Sequence, residues 1–175
     1  MKKLIAAAVF LLLLPTLALA QTTDPQDAWQ GYAFFGAGTA ARDCENCATI
    51  LHTGFGGEGF FYKGLGAGAE IGYARWGPNN FLNNEAFILS GDLSYHFGRR
   101  ALRGQVDPFV LIGPSAYLPT SHGRGALVGN FGGGVNVWLA QHAALRLEIR
   151  DYVNPSENGW PGPHSASFRF GITFR

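Results

Sequence analysis

Ala86-Phe-Ile-Leu-Ser-Gly-Asp-Leu-Ser-Tyr-His-Phe97 places Phe87, Leu89, Leu93, Tyr95 and Phe97 on one face of an extended chain and Ser90, Asp92, Ser94 and His96 on the other. That is a period of two, the signature of a strand with one apolar and one polar face. The last segment repeats it, with Ala166, Phe168, Phe170, Ile172 and Phe174 set against Ser165, Ser167, Arg169, Thr173 and Arg175. The segment before it does the same, Leu145, Leu147 and Ile149 alternating with Arg146, Glu148 and Arg150.

Read outward from these three, the chain divides into about eight strands: residues 29–39, 50–61, 65–76, 86–97, 106–118, 126–139, 144–153 and 165–174. Each is about ten residues long, the length a tilted strand needs to cross the hydrocarbon of a membrane. The second, fifth and sixth alternate least clearly, because Gly54, Gly56, Gly57 and Gly59, or Pro108 and Pro114, interrupt them. Proline removes a ladder donor and predicts a bulge or a rim position.

Composition says which solvent the apolar faces meet. The chain has 25 Gly, 14% aromatic residues and only 14% charged residues, where an ordinary soluble domain carries about 25% charged residues and about 7% Gly. Lys2 and Lys3 precede an apolar run, Leu4 to Leu14, and Ala18-Leu19-Ala20 supplies a small-x-small cleavage site. Residues 1–20 therefore read as a signal peptide and residues 21–175 as a single domain. Beyond the signal no stretch approaches the roughly twenty apolar residues of a spanning helix. A membrane protein without such helices must close its sheet into a barrel, since lipid offers no partner to unpaired backbone groups. The expected fold is an all-β, antiparallel, up-and-down transmembrane barrel.

Connection lengths give an orientation. Residues 40–49, 77–85, 119–125 and 154–164 are the longer connections and belong outside the cell. Residues 62–64, 98–105 and 140–143 are periplasmic turns, the middle one longer than its kind and containing Arg99, Arg100 and Arg103. Both termini then lie in the periplasm. Strand parity also predicts a luminal set of charges, Glu58, Glu70, Asp92, Arg146, Glu148, Arg150 and Arg169, paired across neighbouring strands in a network that plugs the barrel.

Phe131-Gly-Gly-Gly-Val135-Asn-Val137-Trp138-Leu139, then Leu145-Arg-Leu-Glu-Ile-Arg-Asp151, then Phe168-Arg-Phe-Gly-Ile-Thr-Phe174 resemble the small eight-stranded outer-membrane β-barrel proteins, the group that includes the OmpA-type transmembrane domain and the OmpX type. The resemblance spans residues 21–175 and is strongest in their last third. The closing aromatic alternation is similar to the signal read by the barrel assembly machinery, although here Arg175 follows Phe174. The resemblance implies an outer-membrane location, membrane structure or surface interaction as the role, outer-membrane lipids and the assembly machinery as partners, and a monomer. It brings no catalytic residues and no cofactor.

The candidate chemistry is thin. Cys44-Glu-Asn-Cys47 lacks the two further ligands of a zinc site and the helix of a redox motif. A disulfide shaping the first outer loop is the preferred reading and free thiols the alternative. Gly64-x-Gly66-x-Gly68 and Gly132-Gly133-Gly134 have no following helix N-terminus to cradle a phosphate; glycine here relieves crowding in a narrow barrel. Charge balance excludes nucleic acid: without residues 1–20, 11 Lys and Arg face 12 Asp and Glu, and no basic stripe exists. A lipid A-modifying hydrolase is the enzymatic alternative. His52, His96, His122, His142 and His164 are available, yet neither Ser121-His122 nor His164-Ser165 can aim both side chains to one side of a strand. Ser94 and His96 do share a face, but at a periplasmic end. A soluble secreted barrel with its apolar face turned inward around a small ligand is the third reading. Trp29, Tyr73, Trp76, Tyr95, Phe97, Tyr117, Trp138 and Tyr152 fall near strand ends and are expected to form the interfacial girdles.

Overall fold

A computed structural model describes residues 29–41, 48–77, 84–97, 105–120, 125–154 and 164–175. They form eight strands: β1 (Trp29–Ala41), β2 (Ala48–Tyr62), β3 (Leu65–Gly77), β4 (Asn84–His96), β5 (Val106–Pro119), β6 (Ala126–Ala140), β7 (Ala143–Val153) and β8 (His164–Phe174). Each pairs antiparallel with its neighbour in sequence, and β8 pairs with β1 from Phe174↔Gly31 to His164↔Ala41, which closes the barrel. Closure leaves no strand edge unpaired, the condition for backbone in lipid.

The connections sort by rim. Lys63-Gly64 and Gln141-His142 are two-residue turns, and the third connection on their rim is the longer one between His96 and Val106. The other rim carries the four connections after β1, β3, β5 and β7, as the parity of the sequence requires. Lys63 and Gly64 both have positive φ, 41° and 92°, the mirror-image turn whose twist matches that of the strands it joins. Glycine is required at position 64 twice over, since a Cβ there would strike the carbonyl of His96, whose own N–H donates to Gly64 O at 2.8 Å.

Every strand turns one face inward. Phe35, Phe55, Ile71, Phe87, Leu89, Leu93, Ile112, Phe131, Ile149, Phe168, Phe170 and Ile172 stand on the outer surface. Thr53 also points outward, and its hydroxyl donates back to the carbonyl of Phe34 at 3.0 Å, so no donor is left to the lipid.

Two expectations need correction. Pro114 produces no bulge: the ladder between β4 and β5 lapses after Ser90↔Ser115 and resumes at Leu93↔Ile112 in unchanged register. The strand passes the missing donor straight, and the adjacent Gly113 lets β4 approach so closely that a Cβ would collide with Gly91 O. The irregularities lie instead beside the two short turns, at Phe60/Tyr62 and Trp138/Ala140. The girdle is also smaller than expected. Trp29, Tyr95 and Phe97 are exposed and Tyr73 lies on the outer face opposite Phe87. Tyr152 is buried, and Trp76 and Tyr117 pack inside the barrel with it. Trp138 shares the inward parity of Asn136, and its ring receives the Arg175 guanidinium at 4.0 Å. Period two assigns the face of a residue, and nearness to a strand end does not.

Candidate functional site: the ion-paired lumen

Glu148 lies at the centre of the lumen because it directly opposes Arg169 across β7 and β8, while Arg146 and Arg150 flank it two residues away on the same face of β7. Its two carboxylate oxygens accept from all three guanidinium groups: Oε1 from Arg150 Nε at 2.6 Å and Arg169 Nη1 at 2.8 Å, Oε2 from Arg146 Nε at 2.9 Å and Nη2 at 2.8 Å. Arg150 reaches on to Asp92 at 3.0 Å and Glu70 at 3.5 Å. Arg169 meets the same Glu70 oxygen at 2.7 Å, which also accepts from the Tyr32 hydroxyl at 3.1 Å.

Nearer the short-turn rim the network runs on through Glu58, which lies 3.7 Å from Arg146. Glu58 accepts from Gln30 Nε2 at 2.6 Å and Ser94 Oγ at 2.5 Å, and faces His96 Nε2 at 3.2 Å. The other His96 nitrogen, Nδ1, is 2.7 Å from Asp107. The imidazole is thus held between two carboxylates, and packed between Phe109, stacked at 5.2 Å, and Phe60, edge-on at 4.9 Å.

All seven charged residues singled out from the sequence are buried and joined in this one network. Space for them is made by glycine. Glu58 and Asp92 both oppose Gly68, Glu70 opposes Gly56, Arg146 opposes Gly171, Glu148 opposes Gly134, Arg150 opposes Gly132 and Arg169 opposes Gly36. The glycines that blur the alternation of β2 and β6 therefore mark where the bulky charges of the adjacent strand lie. Asp107 and the bridging role of His96 escaped the sequence reading, since Pro108 and Pro114 hide the parity of β5.

Toward the long-loop rim the lining changes character. Ser90, Ser115 and Asn130 form a hydrogen-bonded row, 2.8 Å at each step. Beyond it Ile50, Ala74, Ile88, Val128 and Tyr152 pack into an apolar layer, with Trp76, Tyr117 and Ala126 against it.

The remaining candidates do not assemble into a catalytic triad. Ser94 donates to Glu58 rather than to His96. His52 is buried against Phe34, ring centroids 4.9 Å apart. His164 Nδ1 is 2.7 Å from Asp151 Oδ2 on the outer wall, whereas Ser165 shares the inward parity of Ser167. Among the described residues no group of three or more His, Cys, Asp or Glu is placed to hold a metal ion. Cys44, Cys47, Ser121 and His122 lie outside the described residues.

This chain is a closed antiparallel sheet of eight strands, apolar outside and ion-paired within, and its closed sheet is the fold of the small outer-membrane β-barrels. Solved structures agree. The chain is similar to Neisserial surface protein A (NspA), with 11% identity and a TM-score of 0.62 over 84% of this chain and 96% of that one. It is similar to the N-terminal β-barrel domain of Pseudomonas aeruginosa OprF, with 15% identity and a TM-score of 0.58 over 85% and 98%. Outer membrane protein OprG of Pseudomonas aeruginosa follows, with 9% identity and a TM-score of 0.54 over 85% and 96%. The sequence matches no protein-family model, and no curated protein matches it. A soluble barrel around an apolar ligand would need the faces reversed, apolar within and charged without, which this barrel is not.

Proposed function

We propose that this is a non-catalytic protein of the bacterial outer membrane, exported by a cleaved signal at residues 1–20, whose barrel serves as a rigid mount for the loops of its long-loop rim. The observation that carries the reading is Glu148 bound by three arginines in a filled lumen. The three guanidinium groups are engaged by carboxylates of the same lumen, and a barrel of this width is filled largely by its own side chains. Its expected contacts are outer-membrane lipids and, during insertion, the barrel assembly machinery, with the monomer as the working form. The test is fractionation: the protein should stay with the outer membrane through a carbonate wash, begin at Gln21, and leave lipid A acylation unchanged when its gene is deleted. Release by carbonate would end the reading.

One observation favours the hydrolase alternative. The Asp151–His164 pair holds a carboxylate-oriented imidazole on the outer wall near the long-loop rim, the arrangement a general base needs. Among the described residues the nearest serine in sequence, Ser165, has the opposite parity, so altered lipid A acylation in a deletion strain, restored by the wild-type chain and not by His164→Ala, is what this alternative requires.

A further inference from the structure

The lumen has two layers that could stop an ion, the belt around Glu148 and the apolar layer beyond it. Their physics differ. Among the described residues the buried carboxylates are Glu58, Glu70, Asp92, Asp107 and Glu148, five against the three guanidinium groups of Arg146, Arg150 and Arg169. His96, between two of those carboxylates, offsets at most one of the two surplus negative charges. A polar belt with surplus carboxylate attracts cations and offers them oxygen ligands, so its charge does not bar them. An apolar constriction excludes water, and with it any hydrated ion.

The apolar layer is built as such a constriction. Ile50, Ile88, Val128 and Tyr152 come from β2, β4, β6 and β7, while Trp76 and Tyr117 add rings from β3 and β5. The rings of Trp76 and Tyr117 meet edge-on at 6.5 Å, and those of Tyr117 and Tyr152 at 5.7 Å. On the remaining side β1 brings Gly38 directly opposite Ile50, and β8 brings the buried Ser167 opposite Gly38.

We propose that the permeability seal of this barrel is the apolar layer at its long-loop end, and that the ion-paired belt supplies rigidity without being the barrier. The proposal rests on the reading of the chain as a closed membrane barrel, and its test separates the two. Purified full-length protein in liposomes is compared with the double variants Ile88→Thr/Val128→Thr and Glu70→Gln/Arg169→Gln, folding being checked by the gel shift between unheated and heated samples. Potassium efflux is the readout. Wild type and the belt variant should remain at the background of empty liposomes, and the apolar-layer variant should leak faster by about tenfold or more, a barrier lowered by about 1.4 kcal/mol. Leakage through a folded belt variant, or a tight, folded apolar-layer variant, overturns the proposal. Leakage through folded wild type also overturns the proposal, whereas the absence of a gel shift in wild type overturns the closed-barrel reading beneath it. If the apolar-layer pair fails to fold, Val128→Thr alone replaces it and the same two outcomes decide.

Discussion

At the scale of single residues, Glu148 and Leu147 are neighbours in sequence with opposite consequences. Glu148 accepts from three guanidinium groups in the lumen, and its removal takes a buried carboxylate partner from each of them at once. Glu148→Ala should therefore cost about 3–5 kcal/mol, the range for breaking a buried pair, while Leu147→Ile on the lipid side should cost under about 1.5 kcal/mol. Urea unfolding in detergent, followed by tryptophan fluorescence, measures both, and equal small effects would show that the lumen is wet. Glycines divide the same way. A Cβ at Gly132 would lie 2.6 Å from Ile149 O and 3.2 Å from the Arg150 Cα, whereas at Gly129 the nearest atom is 4.0 Å away. Gly132→Ala should cost about 1–3 kcal/mol by overpacking and Gly129→Ala about nothing, in the same unfolding assay.

At the scale of elements, the legibility of a strand followed the size of its luminal side chains. The strands β4, β7 and β8 announce themselves because Asp92, Arg146, Glu148 and Arg169 contrast with the apolar residues between them. In β6 the luminal Gly132 and Gly134 flank the outward Gly133, so three residues of alternating orientation carry one letter. Period two survives there in the backbone and vanishes from the composition. What filled the space belonged to β7, and only the cross-strand register of Gly132 with Arg150 and Gly134 with Glu148 discloses it. Tyr152 and Trp138 were misplaced for a related reason: an amphipathic ring suits a wet interface and a polar lumen equally well, and parity had to choose. The turns yield a prediction too. Gly64→Ala must place a side chain at a φ of 92° and against the His96 carbonyl, a cost of about 1–3 kcal/mol. It should slow refolding into lipid vesicles and shift the urea midpoint downward, while Lys63→Asn, a residue at home in that conformation, should be neutral or better.

At the scale of the whole molecule, a barrel closed by β1 and β8 keeps its full ladder in mild detergent. The unheated protein should therefore migrate differently from the heated protein on a gel, and identical mobility with a helical circular dichroism spectrum would end the barrel reading. The closing pair has a kinetic meaning as well. Seven of the eight ladders join strands adjacent in sequence and can zip as hairpins, each requiring only a local search. The eighth must bring His164–Phe174 back to Trp29–Ala41 across nearly the entire chain. Until it does, the curled sheet has two open edges whose N–H and C=O groups will accept any strand that arrives first, including one from another copy. Aggregation during biogenesis is thus a race against one long-range contact, and its extent should rise with the concentration of chains that have not yet closed.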